Sequence, residues 1–265
     1  MNLCKKDKLM KFNKLYLLLL FCFLYMPIVV LISLSFNKSG LPTAWGGFSF
    51  EWYVKLFQNE KIFKALTNTL IVATVSTLIA STIGTLLAIG IELKKVRNNI
   101  IEGTVFIPMI IPDIVMAISL LSFFTLIQFT LGLHSIIISH VVFNIAFVCA
   151  VVRTRFNHFD HSIIEASYDL GGKNIVTFIK ITLPIIFPGV LAGSLLAFTL
   201  SVDEFIIAFF TAGAGSSSTT LPMLIYSMIR FGVTPEINAL STFIILFSFI
   251  ILFTSLRLNK ESVIS

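Results

Sequence analysis

Long apolar stretches alternate with short polar ones along this chain. Six stand out, at about 15–35, 66–91, 101–127, 133–152, 185–210 and 238–258. Each reaches about twenty residues, the length a helix needs to cross roughly 30 Å of hydrocarbon. The pattern predicts an all-α membrane protein with six transmembrane helices, built as one domain over 1–265 without an internal repeat or a low-complexity linker. The first stretch follows Lys5, Lys6, Lys8, Lys11 and Lys14, as the core of a signal peptide would. It is too long for that role and no A-x-A site follows, so it reads as a retained first span.

Composition agrees. Apolar residues make up 57% of the chain and charged residues 12%, too little polar surface to cover a water-soluble core of this length. The net charge of +6 is not a nucleic-acid signature, because the lysines and arginines gather at span ends. With the N-terminus placed inside, fourteen of them fall on the cytoplasmic side, including Lys94, Lys95, Arg97, Arg153, Arg155, Lys173, Lys180, Arg257 and Lys260. Five fall outside: Lys38, Lys55, Lys61, Lys64 and Arg230. The positive-inside rule then puts both termini in the cytoplasm of a multi-pass protein.

Cys4, Cys22 and Cys149 have neither pairing nor metal spacing. His134 and His140 read as a loop residue and a packed polar group rather than metal ligands, and no metal site is expected. The second span carries two rows of small residues at helical spacing, Ala73, Thr77, Ser81, Thr85 and Ser76, Ala80, Gly84, Ala88. Such rows let helix backbones approach closely, inside the chain or at a subunit interface. The first outer loop, with Trp45, Phe48, Phe50, Trp52, Tyr53 and Phe57, suits the headgroup region.

The cytoplasmic loop 153–184 is much longer than its neighbours, and long loops in compact proteins are usually functional. It contains Glu165-Ala166-Ser167, then Gly171, then Ile181-x-Leu183-Pro184. Ser162 and Glu165 have capping-box spacing, which predicts a short helix starting at Ser162. Gly171 and Gly172 supply its left-handed stop, and Pro184 can begin the next span. This E-A-S-x3-G-x9-I-x-L-P spacing resembles the EAA motif of bacterial ATP-binding-cassette importer permeases, with Ser167 where Ala is commoner. The resemblance implies the six-helix type I importer fold, with Glu165, Ala166, Ser167 and Gly171 on a coupling helix that meets a separate ATPase. No phosphate-binding loop of the G-x-x-x-x-G-K-[ST] form occurs in the chain. It is therefore expected to be a transport subunit and not an enzyme, with ATP and Mg²⁺ bound by its partner and no cofactor of its own.

Ionisable residues within spans are costly and count as functional candidates. Asp113 lies mid-span after Pro108 and Pro112, and Asp203 and Glu204 lie toward the outer end of the fifth span. Being neighbours, about 100° apart on a helix of 3.6 residues per turn, Asp203 and Glu204 are not expected to share one pore. Carboxylates without compensating cations favour a cationic substrate, and Trp45 is a candidate for cation–π attraction at the outer mouth. The segments Pro112–Leu121, Phe198–Glu204 and Leu221–Leu240 resemble the spermidine/putrescine permeases. That resemblance implies polyamine import across a bacterial inner membrane. It also implies a heterodimer with a second permease, two ATPase copies and an extracytoplasmic binding protein. An importer of the same architecture for thiamine, ferric iron or an oxyanion remains the nearest alternative. A secondary transporter and an intramembrane serine protease are further ones, although Gly193-Ser194 lacks a G-x-S-x-G frame and an obvious His partner.

Overall fold

The computed structural model describes the backbone of residues 2–40, 44–93, 99–156, 159, 160, 162–215, 217–230, 232 and 234–264. Lys94, Lys95 and Arg97 from the charge count lie outside the described residues, as do the side chains of Lys5, Lys6, Lys8, Lys11, Arg257 and Lys260. The chain is helical: α1 (Asn2–Ser35), α2 (Glu51–Gln58), α3 (Glu60–Leu93), α4 (Asn99–Phe106), α5 (Asp113–Leu126) and α6 (Leu133–Phe156) are followed by α7 (Ser162–Asp169), α8 (Asn174–Thr177), α9 (Leu183–Asp203), α10 (Ile206–Thr211), α11 (Leu221–Arg230) and α12 (Pro235–Ile264). Four helical runs are long and apolar enough to cross a membrane: Asn13–Ser35, Glu60–Glu92, Leu133–Phe156 and Asn174–Asp203. The described part of the last apolar stretch is the shorter helix Pro235–Ile250.

Two expected spans take a different form. The third is a broken pair, Gly103–Met109 and Asp113–Leu126, bent by 112°. Pro108 and Pro112 are the cause: neither ring nitrogen can donate, and each ring crowds the preceding turn. A single 3₁₀ turn at Ile107–Met109 closes the first arm. The fifth starts at Asn174, not near 185, because α8 runs into α9 through a π-helical turn at Phe178–Thr182. That wider turn lies just ahead of Pro184, which cannot supply the next helical N–H. At its other end the helix stops at Asp203, and the expected stretch to 210 is completed by the separate α10.

The chain divides into two compact units, Met1–Glu60 with Ile225–Ser265, and Lys61–Leu224. In the first, α1 and α2 pack on α12, with Phe57 edge-on to Phe243 at 5.5 Å and Asn59 Nδ2 donating to Glu236 Oε1 at 2.7 Å. Asn37 organises the outer loop. Its Nδ2 donates to Ala44 O, its Oδ1 accepts from Ser39 and Gly46 N–H, and its carbonyl accepts from Trp52 Nε1. Beside it Phe36 stacks on Phe48 at 5.1 Å and meets Phe50 edge-on at 5.5 Å. On the exposed face of α2, Lys55 Nζ lies 2.8 Å from Glu51 Oε1. The hydrogen bond and charge of that lysine hold the Glu51 carboxyl below its usual range.

In the second unit α6 is the central helix, and its most extensive packing is against α9. The two small-residue rows of α3 are buried within this chain. A Cβ on Gly84 would sit 2.8 Å from Val148 Cβ and 2.9 Å from the Ile145 carbonyl, so glycine is what lets α3 approach α6. Ser76 Oγ lies 3.1 Å from Ser201 Oγ, and Ser194 Oγ donates to Ser81 Oγ at 2.8 Å, which ties α3 to α9. Ala88, Val148, Cys149, Val152, Ile186 and Ala197 form the apolar core between these three helices.

Candidate functional site

The segment with the EAA spacing is a helix held at its end by backbone geometry. Gly171 has φ +79°. Its N–H donates to Tyr168 O at 2.9 Å, and Gly172 N–H donates to Ser167 O at 2.8 Å. That is the Schellman pattern, which satisfies carbonyls a helix end leaves free. Gly172 has a separate reason to be glycine, because a Cβ there would lie 2.6 Å from Ser167 Oγ and 2.7 Å from Ser167 O. Ser167 Oγ is itself engaged, at 2.8 Å from Thr177 Oγ1 on α8. A small residue at 167 therefore fits between two turns.

The start of α7 differs from the expected capping box. The helix begins at Ser162, but the carboxylate serving its first turn is Asp160 Oδ1, which accepts from Ser162 N–H at 2.9 Å. Ser162 is thus inside the helix, which leaves Glu165 in the first turn with its side chain exposed. Ile164 faces the apolar core of the unit, while Glu165, Ala166, Tyr168 and Asp169 face outward. Leu170, at 89% exposure, and Ile175, at 73%, extend that outer face with apolar surface. Nearby, Arg153 Nε on α6 donates to Glu92 Oε1 on α3 at 2.7 Å and lies over the Phe106 ring at 5.5 Å.

The carboxylates occupy two helix breaks. Asp113 is the first residue of α5, directly after the 112° bend. It is exposed. Asp203 is the last residue of α9, also exposed. Glu204 follows as the C-cap of α9 with φ −68° and ψ 119°, so the chain leaves the helix after it. The Glu204 carboxylate turns back onto α10: Ile207 N–H donates to both its oxygens at 2.9 and 3.0 Å, and Ala208 N–H donates to Oε2 at 3.2 Å. Its side chain is only 8% exposed. Helix α10 packs on α5 through Ile207, Met116 and Ala117, and this contact brings Glu204 within electrostatic reach of Asp113. Trp45 belongs to the other unit, where it is 60% exposed.

One participant is not signalled by local sequence. His140 on α6 is 1% exposed, with Nδ1 2.6 Å from Ser201 Oγ and Nε2 4.0 Å from Glu204 Oε2. Its neighbour His134 lies in the first turn of α6, not in a loop, with Nε2 2.6 Å from Thr130 O. No group of three His, Cys, Asp or Glu converges on a metal position among the described residues.

Comparison with known proteins places the chain in a family. Residues 80–260 match the family described as binding-protein-dependent transport system inner membrane component. The chain is 36% identical over 248 residues to the spermidine/putrescine transport system permease protein PotC of Haemophilus influenzae, covering 93% of this chain and 96% of that protein. It is 38% identical over 243 residues to PotC of Escherichia coli K12, covering 91% of each, and 38% identical over 239 residues to that organism's putrescine permease protein PotI, covering 86% and 84%. A solved bacterial ABC transporter for the acidic polysaccharide alginate shares the fold, with a TM-score of 0.74, 14% identity and coverage of 95% and 97%. The methionine ABC transporter MetNI also shares it, at 0.60, 18% identity and coverage of 80% and 97%. The all-α fold is that of the type I importer permeases. The chain belongs to the binding-protein-dependent transport system inner membrane components, a family it shares with the spermidine/putrescine permease proteins.

Proposed function

We propose that this chain is the membrane-spanning subunit that carries polyamines into the cytoplasm in an ATP-driven importer. The observation that carries the reading is its identity to PotC proteins over nine-tenths of its length. The charge pattern supports it. No lysine or arginine occurs between Arg97 and Arg153, or between Lys180 and Arg230, whereas Asp113, Asp203 and Glu204 fall within those stretches. Fold alone would not fix the charge of the cargo, since an importer of an acidic polysaccharide shares it.

The exposed carboxylates of Asp113 and Asp203 take the ammonium groups of the substrate, replacing part of their hydration. Glu204, committed to α10, contributes its field more than its oxygens. Trp45 offers an aromatic face to a cation. Around this subunit the assembly comprises a second, related permease, two copies of an ATP-binding subunit and an extracytoplasmic binding protein. Both termini lie in the cytoplasm. The outer face of α7, with Glu165, Ala166 and the apolar Leu170, enters the ATPase cleft. Ser167 and Gly171 keep that helix short and firmly ended. ATP binding moves α7, and the π-helical turn leads the motion into α9, so that access alternates across the membrane.

The test is ATP-dependent uptake of labelled spermidine by the assembled complex, in cells lacking other polyamine transport, for wild type and Asp113→Asn. Uptake that the substitution lowers, at unchanged assembly, supports substrate and site together. An assembled, ATP-hydrolysing complex without polyamine uptake would overturn the substrate.

A further inference from the structure

The break between α9 and α10 is fixed at two points that flank Asp203. On one side Ser201, 3% exposed, sits between Ser76 Oγ at 3.1 Å and His140 Nδ1 at 2.6 Å. On the other side Glu204 is held by the first turn of α10. The His140 ring hydrogen-bonds the first; its Nε2 lies 4.0 Å from Glu204 Oε2, beyond hydrogen-bond distance, and has no hydrogen-bond partner among the described residues. One arrangement of protons satisfies both hydrogen bonds and turns the remaining ring N–H toward the carboxylate. Nε2 carries the ring proton toward the carboxylate, Nδ1 accepts from the Ser201 hydroxyl, and Ser201 Oγ accepts from the Ser76 hydroxyl. A buried imidazole costs more than an apolar side chain of similar size unless its polar atoms are used. Here Nδ1 joins α6 to the Ser201 side of the break, and Nε2 faces the Glu204 carboxylate across 4.0 Å.

We infer that His140 is a positioning residue of the transport pathway, which sets where Asp203 stands by hydrogen-bonding Ser201 on one side of it and facing the Glu204 carboxylate on the other. His140 touches no substrate in this role. It determines the spacing between the Asp203 carboxylate on α9 and the Asp113 carboxylate on α5, and that spacing is what a polyamine of fixed length measures. The inference rests on the polyamine reading for its functional half, while its structural half stands on the Ser201 hydrogen bonds and the 4.0 Å approach to Glu204.

Three variants separate the two arms. His140→Asn keeps a polar atom near Nδ1, His140→Gln keeps one near Nε2, and His140→Leu keeps neither. The complete importer, with partner permease, ATPase and binding protein, is reconstituted in proteoliposomes. KM and maximal rate per assembled complex are read for spermidine and for putrescine, and amide exchange of the 206–211 segment is followed alongside. His140→Leu is expected to raise KM by about tenfold, the upper scale of one lost buried hydrogen bond. The maximal rate per complex changes less than about twofold, because in this role His140 sets binding and not turnover. Exchange at 206–211 rises, and Gln restores it better than Asn. Faster exchange with an unchanged KM would overturn the pathway role and leave a packing residue. A raised KM with unchanged exchange would overturn positioning and point to direct contact. Unchanged KM and exchange in all three would overturn the inference outright. Should the wild-type complex hydrolyse ATP and import neither polyamine, the substrate reading fails, and the exchange measurement still decides what His140 holds.

Discussion

The two glycines that end α7 allow a test of coupling in which two neighbouring positions fail for different reasons. Gly171 has φ +79° with open space where a Cβ would go, so Gly171→Ala meets only backbone strain of about 1–2 kcal/mol. Asn tolerates that conformation and should recover much of the loss. Gly172 is crowded instead: its Cβ would lie 2.6 Å from Ser167 Oγ, 2.7 Å from Ser167 O and 3.0 Å from Thr177 Oγ1. The first two contacts fall on the residue whose carbonyl accepts the Gly172 N–H, so Gly172→Ala breaks the bond that closes the helix. Overpacking of this kind costs about 1–3 kcal/mol, and no rotamer of Ala relieves it. Because the cost is local, it appears as opening of α7 and not as global unfolding. Amide exchange of 163–172 should rise roughly 5- to 150-fold for Gly172→Ala, and roughly 5- to 30-fold for Gly171→Ala. In the assembled importer the same variants should lower substrate imported per ATP hydrolysed, in the same order, while KM stays unchanged. If Gly172→Ala left exchange at 163–172 at the wild-type value, the clash would be relieved elsewhere and the reasoning would be refuted. If exchange rose and coupling did not fall, α7 would not be the coupling element.

Two further predictions concern packing. Gly84→Ala should lower the melting temperature of the purified permease by several degrees, at about 1–3 kcal/mol for overpacking against Val148 and Ile145. Gly90→Ala, on the same helix with nothing within 4 Å, should be neutral or slightly stabilising, and equal effects at the two sites would contradict the α3–α6 contact. Asn144 is fully buried, and neither polar atom of its side chain has a hydrogen-bond partner among the described residues. Asn144→Leu should hold or raise the melting temperature, and a loss of more than about 2 kcal/mol would refute the reading that the amide is unsatisfied.

What the sequence determines by itself follows from period and covalent chemistry. Twenty-residue apolar stretches specify membrane helices because lipid offers the backbone no other partner. Gly171 and Gly172 specify a stop because their missing Cβ is a local property, and the EAA spacing is local as well. Even so, the cap came from Asp160 and not Ser162, because two residues with suitable side chains compete for the same first turn. Prolines at 108 and 112 announce a disturbance, but its size, 112°, depends on what α5 packs against once it turns. The fate of the small-residue rows also waited on tertiary structure, since a row that fits a helix of the same chain fits one of another subunit equally well. Nothing local in Phe198–Glu204 says that Glu204 folds back to cap α10 while Asp203 stays exposed. Still less does the sequence around His140 point to Ser201, 61 residues away, or to Glu204. Those contacts exist because α3, α6 and α9 approach closely enough for Ser76, His140 and Ser201 to meet in a medium without water. Buried polar groups find one another through packing, which the order of residues along the chain does not display.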